Sequence, residues 1–322
     1  MNSLKVTSFF VLLFLLCQSA QAQNNYPTKV VRIIVPSTSG GGGDALARLM
    51  AQHLTERWGK SVIVENRTGV SNMMGGEAVA KSPADGHVLL NGLSTLSINP
   101  STHKKLLYDV NRDFAPIIHS ISIPNIVMVH PSLPVKTALE LAAAAKARPS
   151  QLLYGSGGYG TNNHLVIELF ATLTHTRFTH VPYKNSGPAL VDTIGGQLMV
   201  FATNMIGGIP YARNGRLRAI GVTSLTRANG ASDIPTLNES GLPGFEAVQW
   251  YGLLAPAGTP KDIIDKIYKD SAAVLNMPEV KDRLNQDGAT VIAANGEVFD
   301  KFIRSETIKW AKVVKAAGIV PE

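Results

Sequence analysis

Runs of β-branched and apolar residues alternate with helix-like segments along almost the whole chain. Residues 30–35 form a β-branched run, followed by a glycine-rich stretch at 37–43 and an amphipathic helix over about 44–58. Strands are then expected at 61–65 and 87–90, with a short helix over 75–81 between them. Residues 117–129 are a long apolar segment broken by Pro124 and Asn125, either two strands or one chain crossing between lobes. The same order then restarts. An alanine-rich helix over 139–148 leads to a strand at 151–154, a glycine-rich loop at 155–160 and a helix over 163–173. Strands at 218–223 and 248–255 and helices over about 261–275 and 298–317 complete the pattern. Such alternation predicts an α/β fold with mainly parallel sheets.

Two segments are built alike. Residues 31–54 and 151–173 each run strand, glycine-rich loop, helix, and a weaker likeness joins 126–144 to 251–269. The spacing far exceeds that of solenoid units, so two similar lobes are expected rather than an array. A chain of 322 residues has the length for two cores. On this reading the first lobe takes residues 23–123 and 225–322, and the second takes 124–224.

The first 22 residues differ in kind. Lys5 is followed by an unbroken apolar run over 9–16, then by Ala20, Gln21 and Ala22, the order of an export signal cleaved after Ala22. The run is well short of the roughly 20 residues that a spanning helix needs. Leu16 is too bulky to precede a lipid-modified Cys17. Cleavage therefore leaves a mature chain without cysteine, and so without disulfides, thiol catalysis or cysteine-held metal. With 45% hydrophobic and 16% charged residues the composition is that of a globular protein. The formal charge of +7 is spread without a basic run, which argues against nucleic acid and only weakly favours an anionic ligand.

Candidate chemistry gathers at the two glycine-rich loops. In the first, Ser37, Thr38 and Ser39 bring hydroxyls, and Gly40, Gly41, Gly42 and Gly43 let a ligand approach the main chain. The helix that follows offers unpaired N–H groups and the positive end of its dipole. Asp44 either belongs to this site or caps the helix. In the second, Ser156, Gly157, Gly158, Thr161, Asn162, Asn163 and His164 surround a helix start. Two such N-termini, one per lobe, can face each other across a cleft and take the two ends of a dianion without buried arginines.

A nucleotide-binding reading competes. Gly155, Gly157 and Gly160 fit G-x-G-x-x-G, Gly40, Gly42 and Ala45 fit its alanine form, and Glu65 stands where a ribose-binding acid would. Export argues against it, as does the lack of an acid at residues 178–181. Other chemistries fare worse. Leu54 stands where a phosphate loop needs its first glycine, Ser156 lacks the leading glycine of G-x-S-x-G, and the eight histidines form no H-E-x-x-H. His175 and His180 read as surface or structural residues, and no metal is expected. Trp58, Trp250 and Trp310 read as core, with Trp250 and Tyr251 the best candidates for a ligand wall.

The stretches VRIIVPSTSGGGGDALAR, VENRTG, AVAKSPADGHVLL, INPSTHKKLLYDVNRDFAPI, LLYGSGGYGTNNHL, HVPYKNSGPAL, LRAIGVTS, GLPGFEAVQWYGLLAPAGTP and WAKVVKAAGI follow one another in order. From residue 26 onward the chain thereby resembles the substrate-binding proteins of tripartite tricarboxylate transporters, the Bug/TctC group. The resemblance implies a type II periplasmic-binding fold: two α/β lobes joined by crossover strands, with a ligand cleft between them. It implies a monomeric periplasmic receptor without catalysis or cofactor that hands a small organic acid to integral membrane transporter subunits. Presentation of the ligand to a membrane sensor kinase stays open, and an exported nucleotide-dependent oxidoreductase remains the rival.

The resemblance also implies that main-chain amides and hydroxyls of residues 37–44 and 156–164 hold a ligand carboxylate. Tyr183, Lys184 and Asn185 form a third wall in this picture. Two departures stand out. Family members usually read Gly-Gly-Gln-Val-Asp and then Phe-Asp-Asn, whereas here Met199 and Thr203 replace the two aspartates. If both positions face the ligand, plain dicarboxylates are favoured over amino acids.

Overall fold

A computed structural model describes residues 26–69 and 71–321. The expected export signal, with Cys17 and the boundary at Ala22, lies outside the described residues. The first third of the fold runs β1 (Val31–Val35), α1 (Gly42–Trp58), β2 (Val62–Asn66), α2 (Met73–Ala80), β3 (Val88–Leu93) and α3 (Thr95–Thr102). Next come β4 (Phe114–Val129), α4 (Ala138–Ala147), β5 (Leu153–Ser156), α5 (Asn162–Thr174), β6 (Thr179–Pro182), α6 (Ser186–Ile194), β7 (Val200–Asn204), α7 (Met205–Arg213) and β8 (Arg218–Val222). The chain ends with β9 (Val248–Pro256), α8 (Lys261–Leu275), α9 (Pro278–Gln286), β10 (Thr290–Asn295) and α10 (Gly296–Ala316). This is the expected α/β architecture, but the sheet is mixed rather than mainly parallel, because β4 and β9 run against their neighbours.

Local sequence explains the main elements. Helix α1 buries Leu46, Met50 and Leu54, spaced four apart, and stops where Gly59 adopts a left-handed conformation with φ of 61°. Each of those side chains contributes about 1.5–3 kcal/mol by leaving water. Helix α3 escapes hydrophobic spacing because it is buried nearly all round, with Thr95, Ser97, Asn99 and Thr102 beside Leu96 and Ile98.

Strand β4 organises the sheet. Its first part, up to Pro124, pairs antiparallel with β9 and with β10, and β9 leads on through β3 and β1 to β2. From Asn125 onward the same strand pairs with β7 and β8, and β7 leads on through β5 to β6. The partners change beside Pro124, whose missing N–H suits it to a break in the ladder. At this point three segments meet. Asn125 N–H donates to Thr223 Oγ1 at 2.8 Å, and Asn125 Nδ2 donates to the Ala247 carbonyl at 2.7 Å. The Thr223 hydroxyl reaches the same carbonyl at 2.8 Å.

Within each half the pairing is parallel where it matters. Strands β1, β2 and β3 run together, as do β5, β6 and β7. Helices α1 and α3 therefore begin at the C-terminal edge of one group of strands, and α5, α6 and α7 begin at that of the other. The two edges touch. A methyl built on Gly42 would sit 3.4 Å from Ile206 Cδ1 in α7, and one on Gly160 would sit 2.7 Å from Thr102 Oγ1 in α3.

Candidate functional site

The loop from β1 to α1 is held from within by Asp44. This buried carboxylate accepts from Arg48 Nε at 2.9 Å, Gly40 N–H at 3.0 Å, Asn66 Nδ2 at 3.0 Å and the Ser39 hydroxyl at 3.3 Å. Asn66 Nδ2 also reaches the Ser37 carbonyl at 3.0 Å. Burial pushes the carboxyl up, but the hydrogen bonds and the Arg48 charge outweigh it and hold Asp44 at about 2. Asp44 thus braces the loop. Gly41 brings no side-chain cap to α1, and Thr38, Ser39, Gly40 and Gly41 are exposed. The first-turn N–H groups of α1 have no partner within the helix. Beneath them Asn91 Nδ2 donates to the Gly43 carbonyl at 2.8 Å, and the Tyr251 ring packs where a side chain on Gly43 would go.

The loop from β5 to α5 is tied more tightly. Gly158 N–H donates to Ser156 Oγ at 3.0 Å, and Gly160 N–H donates to His164 Nδ1 at 3.1 Å. The Thr161 hydroxyl donates to the Gly158 carbonyl at 2.6 Å, and Ser156 Oγ lies 2.6 Å from His180 Nε2. Gly157 N–H points to Asn163 Oδ1 at 3.4 Å. Most of the loop's own donors are therefore taken. What stays open is the first turn of α5, whose N-cap Thr161 makes no side-chain cap.

His164 and His180 stack with ring centres 4.0 Å apart, and Tyr154 stacks on His180 at 4.9 Å. Burial, with the neighbouring His180 second, lowers His164 to about 3, and burial lowers His180 to about 4. Both rings are neutral struts under the loop.

The remaining expected residues divide. The Tyr183 hydroxyl donates to Asp192 Oδ2 at 2.5 Å, and Asn185 caps α6 by accepting from Gly187 N–H at 3.1 Å. Lys184 is exposed and enters no ion pair among the described residues. Thr203, at the end of β7, lies against α7, its Oγ1 3.2 Å from a methyl built on Gly207. Met199 packs against the apolar core just before β7, at the opposite end from loop and helix starts. The loss of an aspartate at position 199 therefore says nothing about the ligand.

Trp250 proves to be core rather than a ligand wall. It is fully buried against His119 and Phe299, whereas Tyr251 next to it underlies Gly42 and Gly43. Glu65, the rival ribose acid, accepts from Arg67 Nε at 2.7 Å and pairs with Arg32. Among the described residues no group of acidic, histidine or cysteine side chains is placed to hold a metal.

Several polar residues near the loops carried no sequence signal. Ser94 accepts from the Trp250 N–H at 3.0 Å at the start of α3. Gln249 joins Asn125, Asn162 and Tyr251. Of this cluster the sequence singled out Asn162 and Tyr251, but not Gln249, which joins them.

The profile of the tripartite tricarboxylate transporter family receptor matches residues 46–319. Protein BugT of Bordetella pertussis is 33% identical over 297 residues, spanning 92% of this chain and 91% of that protein. Among solved structures, R. palustris Rpa4515 with adipate superposes with a TM-score of 0.86 at 36% identity, covering 92% of this chain and 100% of that one. MatC from Rhodopseudomonas palustris with bound malate gives 0.79 at 28% identity, covering 90% and 100%.

Proposed function

Because this chain belongs to the tripartite tricarboxylate transporter receptor family, we propose that it captures a small organic dicarboxylate and presents it to membrane transporter subunits. The single observation that carries this reading is the pair of uncapped helix starts, α1 and α5, one at each of two touching strand edges. Each offers N–H donors and a positive dipole end to one carboxylate. Relatives in this family have been solved with adipate and with malate, both dicarboxylates.

We assign one lobe to β1–β3, the first part of β4, β9 and β10, and the other to β5–β8 with the end of β4. The chain crosses between them beside Asn125 and Ala247. We further assign residues 1–22 to an export signal, which delivers the mature receptor to the periplasm as a single copy.

Thermal-shift and calorimetric titration of the mature chain with adipate, malate, succinate and NAD tests the reading. A dicarboxylate at a hundred times its Kd is expected to stabilise the fold by about 2.7 kcal/mol. Stabilisation by NAD and by none of the acids would instead support the exported oxidoreductase.

A further inference from the structure

Side chains beside the start of α5 form one hydrogen-bond chain, and its direction is set at one end. A main-chain carbonyl only accepts, so Ala247 O, 2.7 Å from the Asn125 amide, fixes Asn125 with Nδ2 toward it. Asn125 Oδ1 then faces Gln249, which must answer with Nε2 at 3.4 Å. The same Nε2 lies 3.2 Å from Asn162, so Asn162 must present Oδ1. Gln249 Oε1 is left to accept the Tyr251 hydroxyl at 3.0 Å. One carbonyl thus orients three carboxamides in sequence. A turned Asn162 would set its NH2 against that of Gln249, donor against donor.

The group at the far end of this chain is Asn162 Nδ2. Asn162 is the first residue of α5, next to the open N–H groups of its first turn, and is 6% exposed. Its Nδ2 is buried and has no hydrogen-bond partner. Buried donors in native proteins are nearly always paired. The Trp250 Nε1 in the core is unpaired too, but Asn162 Nδ2 stands at a helix start whose own N–H groups are open to a ligand. Tyr251 ends the chain beside the other loop, its hydroxyl 3.3 Å from a methyl built on Gly42.

Building on the dicarboxylate reading above, we propose that Asn162 Nδ2 is a donor to a ligand oxygen and that Gln249 is the positioning residue that holds it as a donor. The site then selects an acceptor oxygen, carboxylate or carbonyl, and rejects an N–H donor at the start of α5. Gln249 acts through Asn162 and does not itself touch the ligand.

Calorimetry with adipate on the mature chain, Asn162→Ala, Gln249→Met and the double variant tests this. Removing the donor is expected to weaken adipate about tenfold or more. Gln249→Met is expected to weaken it several-fold beside Asn162, and by less than about twofold once Asn162 is alanine. Equal costs in both backgrounds overturn the relay, and an unchanged Kd in Asn162→Ala overturns the donor. A wild-type chain that binds none of adipate, malate and succinate removes the dicarboxylate reading and this inference with it. That result is read on the wild type alone, so the two failures are distinct. One measurement needs no variant to fold: in the assigned ¹⁵N spectrum of the wild type, the Asn162 carboxamide protons shift downfield on adipate binding. Resonances that stay in place at saturation overturn the proposal.

Discussion

Burial raises the Asp44 carboxyl, but hydrogen bonds from Arg48, Gly40 and Asn66 with the Arg48 charge outweigh it and hold it at about 2, against a usual value of 3.8. A carboxyl with a lowered pKa contributes stability that is fully present above its unfolded value and is lost as pH falls through its folded one. The window for Asp44 therefore runs from about pH 4 down to about pH 2. Its size is on the order of 1–2 kcal/mol, because the half-exposed Arg48 leaves part of the interaction screened by water. Asp44→Asn removes the charge and turns an NH2 toward some of its four donors. Urea unfolding of both proteins between pH 2 and 6 should show the wild type more stable at pH 6 and the gap closing toward pH 2. A gap independent of pH would mean that the charge does not hold the loop. His164 and His180 act at higher pH. Their folded values lie below the usual 6.5, so the wild type and the variant alike lose stability as pH falls from about 6.5, toward 4 for His180 and toward 3 for His164.

At the scale of elements, the two loops answer differently to the same change. Gly41 has φ −79° and ψ 167°, which any residue adopts, and a methyl there meets nothing nearer than the Thr38 carbonyl at 3.6 Å. On Gly157 a methyl lies 2.9 Å from Ser186 Oγ and 3.2 Å from Ser186 N, so it displaces the start of α6. Gly41→Val is expected to weaken dicarboxylate binding while leaving stability within about 0.5 kcal/mol. Gly157→Val should lower both, with an overpacking cost of about 1–3 kcal/mol. Paired thermal melts and titrations separate the two, and wild-type affinity in Gly41→Val would make the first loop structural only. Glycines and β-branched runs made these loops and their flanking elements legible in the sequence. Helix α3 was not legible, because it is buried nearly all round and mixes Thr95, Ser97 and Asn99 with apolar residues. Nor was the chain through Gln249, whose partners Asn125 and Asn162 lie 124 and 87 positions away. Sequence spacing reports what one element buries, not what distant strands bring together.

For the whole molecule, the same contacts decide how the two halves can move. Two crossings meet at Asn125, Thr223 and Ala247, and a third tie is α10. That helix packs Phe299 and Ile303 with Trp250, and Trp310, Val313 and Val314 with Phe170 and Tyr154. Near its C-terminal end the Trp310 Nε1 donates to Glu306 at 3.0 Å, one turn back, which fixes the ring in the second cluster. These ties are expected to confine any motion between the halves to bending at the crossings. We take the approach of Gly42 to Ile206 and of Gly160 to Thr102 as the mark of a closed arrangement of the two halves. Donors on opposite edges reach both ends of one dianion only when the edges approach, so binding energy is available to drive closure. The ligand-free chain is therefore expected to be the more open one in solution. Small-angle X-ray scattering of the mature protein should give a smaller radius of gyration at saturating adipate than without it, and the liganded curve should be the one that fits this structure. An unchanged radius, with saturation verified by calorimetry, would show that the cleft takes its ligand without closing and that the three ties hold the halves rigid.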